Sequence, residues 1–337
     1  MFIRNRTIQA LGLVVTSLLA AVESVPTAQC DQRIAGNVTT LHTVPGTTSL
    51  ENLAIRSNGN ILVSSVNSPT LYQLSPKNEH PPTAIAEIAD VTGLLGISEL
   101  EHDIFYVVGS NLTATENSNG VWKVDLRKSQ ISRNGTVTQP AEVSLVRRIP
   151  QALQLNGMSR LAANDTAHLL ISDSALGTVS LLNVETGDFD TVLEEPEMAP
   201  LASGLSIGVN GIRIRGNNLY FVSLDQGLFA RVTISLADGS AIGPVETLAS
   251  NITFGDDFTL SKDGKRAYVA TNGPREVLEI DVIKGGQTVL ASSPLLSAAS
   301  SVAVDMFRPE GLLYVTGGVA NGNGTVGHVA RVNLQCI

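Results

Sequence analysis

Four residues, Glu51, Asn156, Asn210 and Asp256, hold the same place in successive copies of one repeated pattern, each at the start of a short apolar segment. Brought together, two carboxylates and two amide oxygens form a hard site of charge roughly −2, of the kind that suits Ca²⁺, with waters or substrate completing the coordination. No His or Cys stands in the ring, which makes Mg²⁺ or Zn²⁺ the weaker expectation. The remaining two copies place Leu94 or Leu95, and Ser301, at the equivalent position.

The unit that must position them reads SLENLAIRSNGNILVSS over residues 49–65: an alternating apolar strand, a Ser-Asn-Gly-Asn turn and a second strand. It returns from Leu155, Val209 and Gly255, and more weakly from Leu94 and Ser301, with a third short strand after each copy. Copies start roughly 45 to 60 residues apart, enough for four short strands and their turns. After the N-terminal segment no stretch has a 3.6-residue apolar period. The reading is all-β, a six-bladed β-propeller of four-stranded blades. A two-domain β-sandwich does not explain six copies. Residues from about Gly36 to Thr48 are expected to complete the last blade.

In such a ring the first strand of each blade lines the channel and the second runs back beside it. The start of the first and the end of the second therefore share a face. This makes Asn67, Asp173, Ser223 and Asn272 pocket candidates, each with the competing reading of a cap on its own turn. Leu94, Leu95 and Met158 are the expected apolar liners.

Composition limits the partners. With 22 basic against 31 acidic residues and a net charge of −9, the chain offers no basic field for a phosphate backbone, so nucleic acid is excluded. Arg4 and Arg6, followed by an apolar run from Ile8 to Val22, have the layout of a cleaved export signal over residues 1–24. An uncleaved anchor is the alternative. Residues 25–337 then form the propeller, with no membrane span after cleavage, in a secreted or vesicular protein expected to be a monomer. Sequons at Asn37, Asn111, Asn134, Asn164, Asn251 and Asn323 fit a glycosylating route. Cys30 and Cys336, near the ends of that segment, suggest a disulfide across the seam of the ring, as opposed to two unrelated thiols. By chain entropy so long a loop would contribute about 4 to 5 kcal/mol.

Other motifs carry less. Gly204-Leu205-Ser206-Ile207-Gly208 matches a nucleophile elbow but lacks the strand before and helix after that the elbow needs. The five histidines are scattered and none adjoins a ring residue, so no His general base is indicated. Trp122 is expected to pack between blades.

The segments LEN from Leu50, LNG from Leu155, VNG from Val209 and GDDF from Gly255 resemble the senescence-marker-protein/gluconolactonase-like propellers. That resemblance implies a central metal held by Glu51, Asn156, Asn210 and Asp256, and a metal-dependent lactonase activity. Asp256 is preferred to Asp257 because Phe258 then takes the apolar position that Ile212 takes after Asn210. The signal-bearing, sequon-rich form is similar to a narrower fungal branch, the hetero-Diels-Alderases of tropolone-sesquiterpenoid pathways. That likeness implies union of a tropolone-derived o-quinone methide with a humulene-type alkene to form a dihydropyran. The low aromatic content, 4%, favours an aliphatic pocket and an apolar small-molecule substrate. Pericyclase is the first reading, a Ca-dependent lactonase the second, and a non-catalytic ligand-binding propeller the third.

Overall fold

The computed structural model describes residues 33–111, 118–305, 307, 308 and 311–336. The expected export signal and Cys30 lie outside the described residues. Six four-stranded antiparallel sheets form the blades. The first comprises Leu53–Ile55, Ile61–Ser65, Ser68–Leu74 and Thr83–Glu87. The second comprises Gly93–Glu101, Ile104–Ser110, Gly120–Asp125 and Glu142–Arg148. A two-stranded hairpin, Gln130–Ile131 with Val137–Gln139, is inserted before its last strand. Blades three, four and five begin at Leu155–Arg160, Val209–Arg215 and Gly255–Leu260.

The sixth blade closes the ring. Its strands Val302–Val304, Leu312–Asn321 and Gly324–Cys336 come from the C-terminal end, and its outermost strand is Arg33–Val44. The pairing runs from Val44 opposite Gly327 to Arg33 opposite Cys336. The outer strand thus starts slightly earlier and ends earlier than its sequence suggests, because Thr47 and Thr48 already turn toward the first blade. Among the described residues no helix is long and apolar enough to cross a membrane.

Strands that face a neighbouring blade on both sides read as continuous apolar runs. Ile104–Ser110 is buried at every position, as is Ile61–Ser65. Six apolar clusters fill the six gaps between blades. Leu62, Leu94, Phe105 and Trp122 join the first two blades, and Leu41, Leu53, Tyr314 and Val329 join the last to the first. Trp122 packs as expected, with the Arg148 guanidinium 4.8 Å above its ring. Leu94 and Met158, expected to line the pocket, are instead core residues between blades one and two and blades two and three.

In blades two to five a two-residue irregularity at the start of the inner strand aims side chains at the axis. Leu155 pairs with Asp173 but Met158 with Ile171, so Asn156 and Gly157 are extruded. The same step isolates Asn210-Gly211, Asp256-Asp257 and Leu95-Gly96. Such bulges bend a strand and re-aim its side chains. Leu95, not Leu94, is therefore the axial residue of blade two. At Gly96, Gly157 and Gly211 an added Cβ would lie 2.2 Å from the Asn156 carbonyl oxygen, 2.4 Å from that of Asn210 and 2.0 Å from Asp257 Oδ1. Only glycine lets the adjacent blades approach so closely.

Second-strand hydroxyls tie three of the axial segments to the neighbouring blade. Ser64 donates to the Leu95 carbonyl at 2.7 Å, Ser172 to that of Asn210 at 2.6 Å, and Thr316 to that of Glu51 at 3.0 Å. A Gly157→Ala substitution is expected to lower the melting temperature by several degrees, an overpacking cost of about 1–3 kcal/mol. Gly324→Ala, at a position with no heavy atom within 4 Å of the added Cβ, is expected to leave it unchanged. Thermal unfolding of the two variants checks both.

Candidate functional site

The extruded residues meet in a cavity of about 370 Å³ at the face where the inner strands begin. One half is polar: Glu51, Gln154, Asn156, Asn210, Asp256 and Asn272. The other is apolar: Val66, Leu95, Leu205, Ile207, Leu224 and Phe254. All four expected ring residues thus line one cavity, together with two of the expected pocket residues, Leu95 and Asn272.

Asp256 is the hub of the polar half. Its Oδ1 accepts from Asn210 Nδ2 at 2.7 Å and its Oδ2 from Asn272 Nδ2 at 2.9 Å. The Ser300 hydroxyl lies 3.0 Å from Asp256 Oδ2 and 2.7 Å from Glu51 Oε2. One hydroxyl carries one proton, so the second of these contacts is favourable when a carboxyl also carries one. Burial, then the charge of Asp256, pushes the Glu51 carboxyl up to about 8, and burial pushes Asp256 up to about 6. The axial residue of blade six is Ser300, one position before the expected Ser301. Ser301 instead donates to Asp257 at 2.7 Å.

Asp257 belongs to a second layer, where Arg213 and Asn52 reach it at 2.7 and 3.0 Å. The Arg213 guanidinium is thereby spent on Asp257. Glu51 and Asp256 share no ion pair with a cationic side chain among the described residues. No group of three or more His, Cys, Asp or Glu gathers there either, so amide oxygens would have to complete any coordination. The half-buried Glu51 and the buried Asp256, without a cationic partner and beside two asparagines, suit a hard divalent cation, and the residues fit such an ion. Among the described residues no partner meets the side-chain amides of Gln154 and Asn156, which are available to a ligand.

Three other expected pocket residues take different roles. Asn67 caps its own turn, its Oδ1 accepting from the Thr48 N–H at 3.1 Å and the Ser65 hydroxyl at 2.8 Å. Asp173 accepts from the backbone N–H groups of Leu153, Gln154, Ala175 and Leu176, which holds the loop carrying Gln154 against blade three. Ser223 is buried and does not line the cavity.

The apolar wall was not legible as a motif. Leu205 and Ile207 come from the glycine-flanked segment 204–208, which runs into a strand with no helix after it, so the elbow reading fails. What holds the segment is Asp225, whose carboxylate accepts from the backbone N–H groups of Leu201, Leu205 and Ile207 at 3.1, 2.8 and 3.1 Å. Gln226 adds bonds to the Pro196 and Ala199 carbonyls. Of the sequon asparagines, Asn37, Asn134, Asn164, Asn251 and Asn323 are exposed, whereas Asn111 is half-buried.

No family model matches the chain. It is 27% identical over 307 residues to a protein of Phoma sp. named "Putative hetero-Diels-Alderase", covering 82% of this chain and 85% of that one. Its curated relatives carry that name. A second, "Putative hetero-Diels-Alderase asR5" of Sarocladium schorii, is 31% identical over 221 residues, 58% of this chain and 53% of that one. Among solved structures, a calcium-binding protein, regucalcin, from Agrobacterium tumefaciens superposes with a TM-score of 0.58 at 14% identity, covering 88% of this chain and 94% of that one. This last likeness concerns the fold alone.

The paired carboxyls set a pH dependence. Both sit above their ordinary values in the folded chain, so their protons stabilise it. That contribution is complete below about pH 4 and is lost as pH rises through about 6 for Asp256 and about 8 for Glu51. Chelator-treated protein is expected to melt at a lower temperature at pH 8 than at pH 5, with a smaller drop in Glu51→Gln. Thermal melts across that range measure the difference.

Proposed function

We propose that the protein is a hetero-Diels-Alderase, joining a tropolone-derived o-quinone methide to an alkene of a humulene-type sesquiterpene. The observation that carries this reading is the two-sided cavity. Its apolar wall suits a hydrocarbon, its carboxylate and amide half suits an oxygenated partner, and no Ser, Cys, His or Lys is among its described lining residues. The sequence likeness to proteins bearing that name supports it.

The reaction needs no nucleophile. The exocyclic carbon and the oxygen of the methide bond to the two alkene carbons, and three π bonds become two σ bonds and one π bond. No proton, electron or leaving group departs. The protein's task is to hold both reactants in one geometry, which can remove roughly 7–11 kcal/mol of barrier. The free amides of Gln154 and Asn156 can donate to the methide oxygen, and that hydrogen bond strengthens as negative charge builds there. The asparagines around Asp256 keep its carboxyl from rotating into the reactant space.

Glu51, Asn156, Asn210 and Asp256 are the residues that would hold a divalent ion, Ca²⁺ by donor chemistry. Such an ion would supply Lewis-acid polarisation of a substrate oxygen. The same donor set favours a second reading, hydrolysis of a lactone, in which Asp256 takes a proton from the attacking water. Export and N-glycosylation are part of the proposal, and the exposed sequon asparagines Asn37, Asn134, Asn164 and Asn323 support it.

Glu51→Gln separates the two chemistries. A cycloaddition governed by cavity shape is expected to proceed within about tenfold of the wild-type rate, whereas a lactonase that depends on this carboxylate loses roughly 10²–10⁴-fold. Adduct formation from a tropolone quinone methide and humulene, followed beside proton release from a lactone panel with and without chelator, tests the assignment. Chelator-sensitive lactone hydrolysis without adduct would overturn it.

A further inference from the structure

A second concavity of about 500 Å³ opens on the same face between blades four and five. It adjoins the central cavity, because Leu205, Leu224 and Phe254 line both. Small-molecule sites span roughly 300–1,000 Å³. The central cavity, at about 370 Å³, is therefore near the lower limit for a single ligand, while a bimolecular addition has to enclose two.

The partition between the two spaces is apolar, and two of its three residues are uncovered while Leu224 is buried. Leu205 is 61% exposed and Phe254 41% exposed, an arrangement that costs free energy unless something apolar covers them. It is also held in place against backbone preference. Seven described non-glycine residues adopt positive φ, and three of them, Ser206, Asn251 and Phe254, border this region. Phe254, at φ 51°, is the bulky aromatic among them. The three hydrogen bonds from the 201–207 segment to Asp225 hold Leu205 on the other side of the partition.

We propose that the groove between blades four and five is the seat of the neutral hydrocarbon reactant, with Leu205, Leu224 and Phe254 presenting its alkene to an oxygenated partner in the central cavity. This rests on the two-reactant reading of the protein. Apart from Ile252, the residues that line only the groove are small or polar, Ser203, Asp225, Gln226, Asn251 and Thr253 among them, so the apolar surface offered to the hydrocarbon is the side shared with the central cavity.

The test is equilibrium dialysis of the humulene hydrocarbon itself against wild type, Ser203→Trp and Asn156→Leu. Ser203 is exposed and lines only the groove, whereas Asn156 lines only the central cavity. The expected result is binding by wild type and Asn156→Leu, and at least tenfold weaker binding by Ser203→Trp. Thr253→Trp repeats the test from the opposite lip, compared with Asn251→Gln because both changes remove the same sequon. Binding by both tryptophan variants equal to that of their references, or no binding by wild type, overturns the proposal. Groove-dependent binding without any adduct in the presence of the methide faults the pericyclase reading and leaves the groove assignment standing.

Discussion

The site depends on one backbone irregularity repeated around a ring. At the head of the inner strand two residues leave the ladder in blades two to five, and two precede it in blades one and six. The first turns its side chain to the axis, and the second either vanishes as glycine or bonds within a deeper layer. Regular strands would send successive side chains alternately toward the two neighbouring blades, and none would converge. The bulge supplies the third direction. Its cost is the extruded backbone, and the neighbouring blade's hydroxyls from Ser64, Ser172 and Thr316 offset it by bonding the freed carbonyls. The contact between blades and the geometry of the site are thus one feature.

That convergence creates an electrostatic problem with a chemical use. The half-buried Glu51 and the buried Asp256 lie within reach of one serine hydroxyl, with Arg213 committed to Asp257 below them. Carboxylates left without a cation draw in a proton or a metal, or polarise whatever oxygenated molecule enters. The apolar wall opposite reinforces this, since a lower local dielectric strengthens every charge–dipole contact in the cavity. The two halves of the cavity come from different sources. The polar half is set by the inner strands and is as rigid as the ring. The apolar half hangs on loops, of which the segment 199–208 is held chiefly by Asp225 and Gln226.

Much of the architecture was legible because a repeat multiplies weak signals. One Asn-Gly pair is a turn signal, but Asn156-Gly157 and Asn210-Gly211 at matched places, with Glu51 and Asp256 in register, identify axial positions. The choice of Asp256 over Asp257 also follows from the pattern, since Phe258 and Ile212 fill equivalent core sites. Where the pattern is degenerate, reading fails by one residue. Nothing in Leu94-Leu95 or Ser300-Ser301 tells the axial member from its neighbour: the register of the bulge separates the first pair, and the contacts of Ser300 with Glu51 and Asp256 and of Ser301 with Asp257 separate the second.

The sequence by itself determined the blade count, the strand order and the four polar axial residues, because these follow from local alternation and from recurrence along the chain. Tertiary structure alone decided that Ser300 bridges the two carboxyls, that Met158 is core, that Asp173 and Asp225 organise loops, and that an apolar wall faces the polar ring. Those facts depend on contacts between segments far apart in the chain, such as Glu51 and Ser300, and on loops whose conformation is set by side-chain-to-backbone bonds. No periodicity in the sequence encodes either.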